Sequence, residues 1–153
     1  MSESTDKIER DVLLKAPLAR VWQAVSNAEE FGNWFGLDLN GKAFIAGQTT
    51  SGRISFSGYE HLVCDMVVVA VDPPARFAYR WHPYALDETV DYSQEPMTLV
   101  EILLSEEAGG TRLRVVESGF DQVPPERRFE AFRQNTRGWE VQMESIAEYV
   151  SKS

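Results

Sequence analysis

The chain has 153 residues, 43% hydrophobic and 25% charged, which fits one domain over 1–153 with a core of its own and argues against wholesale disorder. Its formal charge of -9 argues against nonspecific nucleic-acid binding and against docking on anionic lipid, since both need a basic surface. A single cysteine, Cys64, excludes an intramolecular disulfide; with no apolar run of bilayer length and a polar Met1 to Arg10, a cytoplasmic location without membrane association is expected.

The first strand is expected at Ile8 to Lys15, with Ile8, Val12 and Leu14 on one side. Ala16-Pro17 interrupts it, and because proline suits a first helical turn, Val21, Trp22 and Val25 read as a short helix. Ser26-Asn27 ends that helix and can cap a second, roughly Ala28 to Trp34. From Lys42 to Ser118 the pattern is β. Gln48 to Ser57 alternates, with Ile54 and Phe56 on one face, and His61 to Asp72 is rich in valine, which favours a pleated, half-buried surface. Asp72-Pro73-Pro74 stops that strand, because proline cannot donate to a ladder. Arg76 to His82 groups Phe77, Tyr79 and Trp81, and Thr98 to Glu107 groups Val100, Ile102 and Leu104. After the turn at Ala108-Gly109-Gly110, Thr111 to Ser118 sets Leu113, Val115 and Glu117 on one side. Consecutive strands with short turns imply an antiparallel meander.

Two segments depart from that rhythm. Pro83 to Pro96 is too long for a tight hairpin, carries Asp87, Glu88, Asp91 and Glu95, and reads as a mobile acidic loop. Pro125 to Ser151 reads as a long helix: at 100° per residue Phe132, Trp139, Met143 and Val150 fall within roughly 20° of one line. Phe129, Thr136, Ile146 and Ala147 flank the line, while Arg133, Arg137, Glu140, Glu144 and Glu148 lie on the solvated side. The sheet is the surface broad enough to cover such a stripe.

The order strand, two short helices, several strands and long helix carries a family resemblance. Its residues are Ala16-Pro17 with Val21-Trp22 and Ala24, then Trp34-Phe35, Asp72-Pro73-Pro74 with Phe77, Tyr79 and Trp81, Gly110 to Leu113, Glu117 to Phe120, and Gly138-Trp139 followed by Ile146 and Tyr149. The chain resembles the START-like (SRPBCC, birch-pollen-allergen-like) superfamily. Within it, the chain resembles single-domain proteins related to the activator of the 90-kDa heat-shock protein ATPase. The resemblance implies an α+β helix-grip fold, a curved antiparallel sheet wrapped around the long C-terminal helix with two short helices between strands 1 and 2. It also implies a cavity between sheet and helix, which in relatives takes sterols, lipids, polyketides or hormones. One fold hosts many functions, so activity has to be argued from the site.

Within such a cavity Tyr79, Trp81, Trp34, Phe35 and Phe56 are the expected aromatic wall, joined from the long helix by Phe132, Trp139 and Met143. Trp34 and Phe35, ending the second short helix, are expected at its mouth. Glu117 is the notable polar position: it shares a face with Leu113 and Val115, where desolvation raises a carboxyl pKa unless a donor pairs with it. It could orient a ligand or act as acid and base, or simply reach solvent at the strand end or pair with a nearby arginine. Thr136 and Asn135 could supply polar contacts, or could bond to backbone and solvent. Gly138 inside a helix costs about 1 kcal/mol relative to alanine, and close packing on a neighbouring element would explain it. His61 and His82 are the only histidines and have no metal-ligand spacing, and His61 and Cys64 face opposite sides of a strand; neither a zinc site, a nucleophile pair nor a cofactor is expected.

The leading expectation is noncatalytic binding of a small hydrophobic or amphipathic ligand between sheet and helix. A protein partner is the second, either as a co-chaperone-like or stress-response module or as a homodimer, motivated by the family resemblance and by an acidic surface that could meet a basic partner. A cyclase- or hydratase-like enzyme using cavity acids is the third.

Overall fold

The computed structural model describes residues 6–87 and 89–152. Strand β1 (Lys7–Leu14) leads through Ala16-Pro17 into α1 (Leu18–Ser26) and α2 (Ala28–Phe35). Asn27 separates the two helices and caps the second, its side chain accepting the Glu30 backbone N–H at 3.0 Å, with Glu29 and Glu30 in the first turn where the helix dipole favours them. Gly36 ends α2 in the left-handed region at φ 99°, a conformation glycine adopts without steric cost. The remaining strands are β2 (Leu37–Asp38), β3 (Thr49–Ile54), β4 (Val63–Asp72), β5 (Arg76–Trp81), β6 (Thr98–Glu107) and β7 (Gly110–Ser118). A 3-10 turn at Phe120–Gln122 precedes the long helix α3 (Pro125–Ser151).

All seven strands form one antiparallel sheet in the order β1-β7-β6-β5-β4-β3-β2. The meander holds from β2 to β7, and β1 closes onto β7 with Ile8 opposite Glu117 and Val12 opposite Leu113. Strands β1 and β2 thus sit on opposite edges. The two short helices carry the chain from one edge to the other, which accounts for their place between the first strand and the meander. The inward residues line up in cross-strand rows. Tyr79 lies opposite Val100, and Val100 opposite Glu117, so a carboxylate occupies the middle of an otherwise apolar row.

Helix α3 covers this inward face, but its buried stripe is not centred where the apolar residues alone place it. Ala131, Trp139, Met143, Ile146 and Val150 are buried, Phe132 is half-buried, and Phe129 is 74% exposed. The true face is turned by about 40° on the helical wheel, toward Asn135, Gln142 and Ile146. Polar Asn135 and Gln142 have partners on the covered side, the former bonding Glu117 and the latter the Phe35 carbonyl at 2.8 Å. Phe129 and Thr136 are rotated off that face. The expected alternation through Phe56 also stops short: β3 ends at Ile54, and Phe56 follows in the connection to β4, 54% exposed.

Candidate functional site

Glu117 is fully buried on β7, and both carboxylate oxygens are saturated by uncharged donors. Trp139 Nε1 donates to Oε1 at 2.8 Å and Trp81 Nε1 to Oε2 at 2.7 Å. Thr98 Oγ1 adds a bond to Oε2 at 2.6 Å, and Asn135 Nδ2 reaches Oε1 at 3.0 Å and Oε2 at 3.3 Å. Burial raises the Glu117 pKa above the ordinary 4.5, and the donors from Thr98, Trp139, Trp81 and Asn135 pull it back only in part. Its structural consequence is direct: one side chain fixes the planes of two indoles delivered by different elements, β5 and α3.

Those indoles form the inner wall of a cavity of about 540 Å³, within the range of small-molecule sites. Phe35 packs against both, at 5.8 Å between ring centroids in each case. The connection between β3 and β4 supplies Phe56 and Tyr59 to the lining, and β4 adds Val63 at its start. Phe56 lies over Gly36, where a Cβ would come within 2.6 Å of the ring and oblige this exposed side chain to move, while the positive φ favours glycine there. Opposite, the segment expected to be an acidic loop turns Tyr84, Leu86, Val90 and Tyr92 toward the cavity. Arg127, at the start of α3, holds both ends of that segment. It donates to the carbonyls of Pro83 at 2.8 Å and Tyr84 at 3.2 Å, pairs with Glu95 at 2.9 Å, and stacks on Tyr92 at 4.8 Å. Phe56, Tyr59, Val63 and Val90 are each at least 42% exposed, so the mouth has an apolar rim.

Helix α3 contributes Asn135, Gly138, Trp139 and Gln142 to the wall. Gly138 is exposed, and among the described residues nothing lies within 4 Å of where its Cβ would be. The expected close packing is therefore absent at Gly138. What the missing side chain leaves clear is cavity. Cys64 borders the same space, and burial pushes its thiol up to about 12, which keeps it protonated and a poor nucleophile. His82 Nε2 lies 3.0 Å from the Glu95 carbonyl. Among the described residues no group of three or more His, Cys, Asp or Glu side chains could hold a metal ion.

Of the eleven side chains singled out from sequence for the cavity, Phe35, Phe56, Trp81, Asn135 and Trp139 border it. The other six lie around or behind it. Glu117 stands behind the indoles, and Tyr79 is fully buried with its hydroxyl unpartnered. The Trp34 Nε1 donates to the Ala24 carbonyl at 2.8 Å, away from the mouth. Phe132 packs edge-on against Phe120, Met143 belongs to the core, and the Thr136 hydroxyl bonds the Phe132 carbonyl at 2.7 Å. Sequence reasoning missed the loop residues because it weighed the acids of 83–96; the apolar pairs Tyr84/Leu86 and Val90/Tyr92, two apart, were the available signal.

A family model described as "Activator of Hsp90 ATPase homolog 1-like protein" matches residues 15–151. Among solved structures, protein MLL2253 from Mesorhizobium loti superposes with a TM-score of 0.72 at 21% identity, covering 96% of this chain and 98% of that one. Protein Ms6760 from Mycobacterium smegmatis gives 0.73 at 17% identity, covering 97% and 92%. These two establish the likeness of fold. DynU16, of the dynemicin biosynthetic locus, gives 0.72 at 25% identity over 95% of this chain, which spans 47% of that protein. Comparison with curated proteins returns no match.

Proposed function

The chain belongs to the Activator of Hsp90 ATPase homolog 1-like family, and from that premise we propose that its cavity holds a small hydrophobic or amphipathic molecule without transforming it. The observation that carries this reading is Gly138. A glycine inside a helix costs about 1 kcal/mol relative to alanine, and here no packing contact offsets that cost. A ligand passing over the helix at that point would use the space. Burying about 200 Å² of its apolar surface against Trp81, Trp139 and Phe35 would contribute about 5 kcal/mol before association costs. The polar groups near the wall support holding over chemistry. The Glu117 oxygens are occupied by indole, hydroxyl and amide donors, and the Cys64 thiol stays neutral.

The test is binding of a neutral fluorescent probe, N-phenyl-1-naphthylamine, to the wild-type protein and to Gly138→Leu. Leucine at 138 fills the cavity from a position that touches nothing, so the fold, read by circular dichroism, should be unchanged while probe affinity falls by about tenfold or more. Equal affinity in both proteins would place the probe elsewhere and remove the proposal.

A further inference from the structure

We infer that the ligand selected by this cavity is a cation, an amine or quaternary ammonium carried on an apolar body. The inference rests on the binding role proposed above and names its ligand class. Among the described residues, neither lysine nor arginine borders the cavity, so His82, whose ring nitrogen lies 3.0 Å from the Glu95 carbonyl, is the one side chain of the lining that could offer a carboxylate or phosphate ligand a positive charge. What the lining offers instead is aromatic rings: Trp81, Tyr59, Tyr84 and Tyr92, together with Trp139, which is itself only 3% exposed. Aromatic faces carry partial negative charge and attract a cation by about 0.5–2 kcal/mol, most strongly for tryptophan and when water is excluded.

The two indoles are prepared for this. Both Nε1–H groups donate to the Glu117 carboxylate, and an acceptor on the indole N–H shifts electron density into the ring, deepening the attraction at its face. Glu117 itself has four partners, all uncharged, so among the described residues no cation within bonding distance balances it when it is ionised. A cationic ligand lodged against Trp81 would supply that balance across the ring. The rim adds Asp91, whose carboxyl is held below its ordinary range by hydrogen bonds from Ser93 and therefore stays charged. Arg127 is close by on Tyr92, but it is already paired with Glu95 at 2.9 Å and does not oppose a second cation at full strength.

The experiment compares three ligands built on one naphthylethyl body: the trimethylammonium, its uncharged tert-butyl isostere of the same shape, and the carboxylate. Affinities are read by isothermal titration calorimetry. The ammonium is expected to bind about tenfold tighter than the tert-butyl compound, with the carboxylate weakest. That advantage should persist at about 1 M salt, where the Debye length is about 3 Å and the general charge of the protein is screened. Gly138→Leu should weaken both the ammonium and the tert-butyl ligand. If the tert-butyl compound or the carboxylate binds as well as the ammonium, the charge inference falls while the cavity reading stands. If the advantage vanishes in salt, or if Gly138→Leu leaves ammonium binding intact, the cation is drawn by the acidic surface and the inference falls again. Failure of all three ligands to bind would take the cavity reading with it.

Discussion

Replacing Glu117 with glutamine removes one oxygen from the centre of the molecule and puts an amide N–H₂ in its place. Trp139 donates to one carboxylate oxygen and Trp81 to the other, so whichever way the amide turns, one indole N–H meets another donor. While Glu117 holds its proton, a hydrogen bond to it contributes about 0.5–1.5 kcal/mol, and a buried donor left without an acceptor costs about 1–3 kcal/mol, giving an expected loss of about 2–4 kcal/mol. For 153 residues at about 2.1 cal/mol/K each, that lowers the melting temperature by about 6–12 °C. The sign of the pH dependence follows from the raised pKa of Glu117. Above 4.5 the unfolded chain has released its proton while the folded chain still holds it, so this group's contribution to stability is full below 4.5 and declines as pH rises through the folded value. Glutamine does not titrate. The gap between the two proteins should therefore be widest in acid and narrow with rising pH, a comparison in which the surface carboxylates cancel. Urea melts at several pH values provide the assay. A neutral or stabilising substitution, or a gap that widens with pH, would refute the carboxylate-centred account of the wall.

Gly138→Ala should stabilise the protein by about 1 kcal/mol, raising the melting temperature by about 3 °C, because the new Cβ meets nothing within 4 Å; a thermal melt showing destabilisation would mean the space is not open. Arg127→Met should release the loop it clasps, so that hydrogen exchange at the Val90 and Glu95 amides, bonded to the Asp87 and Tyr92 carbonyls, speeds up about tenfold or more while β6 and β7 amides are unmoved. Unchanged exchange at those two amides would show that the loop holds itself. Cys64, half-buried at the cavity and with its thiol pushed up to about 12, should react with a disulfide reagent at pH 8 about fiftyfold more slowly than an ordinary cysteine, its lower thiolate fraction being offset in part by the greater nucleophilicity of a more basic thiolate; a rate near the ordinary one would contradict the raised pKa.

The fold was legible because its elements obey periodicities that burial enforces. Phe77/Tyr79/Trp81, Val100/Ile102/Leu104 and Leu113/Val115/Glu117 alternate as inward rows, and the capping residue Asn27 marks the break between the short helices. Glu117 was visible for the same reason, as a carboxylate on an apolar row. Its four donors were not, because Trp81, Thr98, Asn135 and Trp139 come from three elements and only the β5–β6–β7 register and the rotation of α3 bring them together. Counting apolar residues on α3 misplaced its face, since polar Asn135 and Gln142 are covered and Phe129 is not. The mouth was the least legible part. Phe56 leaves its strand, and the loop over Tyr84 to Tyr92 is fastened by Arg127, a partner more than thirty residues away in sequence.

Whether the space walled by Trp81 and Trp139 receives a ligand can be read from the chain's four tryptophans in one spectrum. Indole N–H resonances can be followed while an apolar ammonium is titrated in. Those of Trp81 and Trp139, which bond Glu117 at the cavity wall, are expected to shift together and saturate, while that of Trp34, bonded to the Ala24 carbonyl, and that of Trp22 stay fixed. Saturable shifts at Trp22 or Trp34 with Trp81 and Trp139 unmoved would contradict binding there.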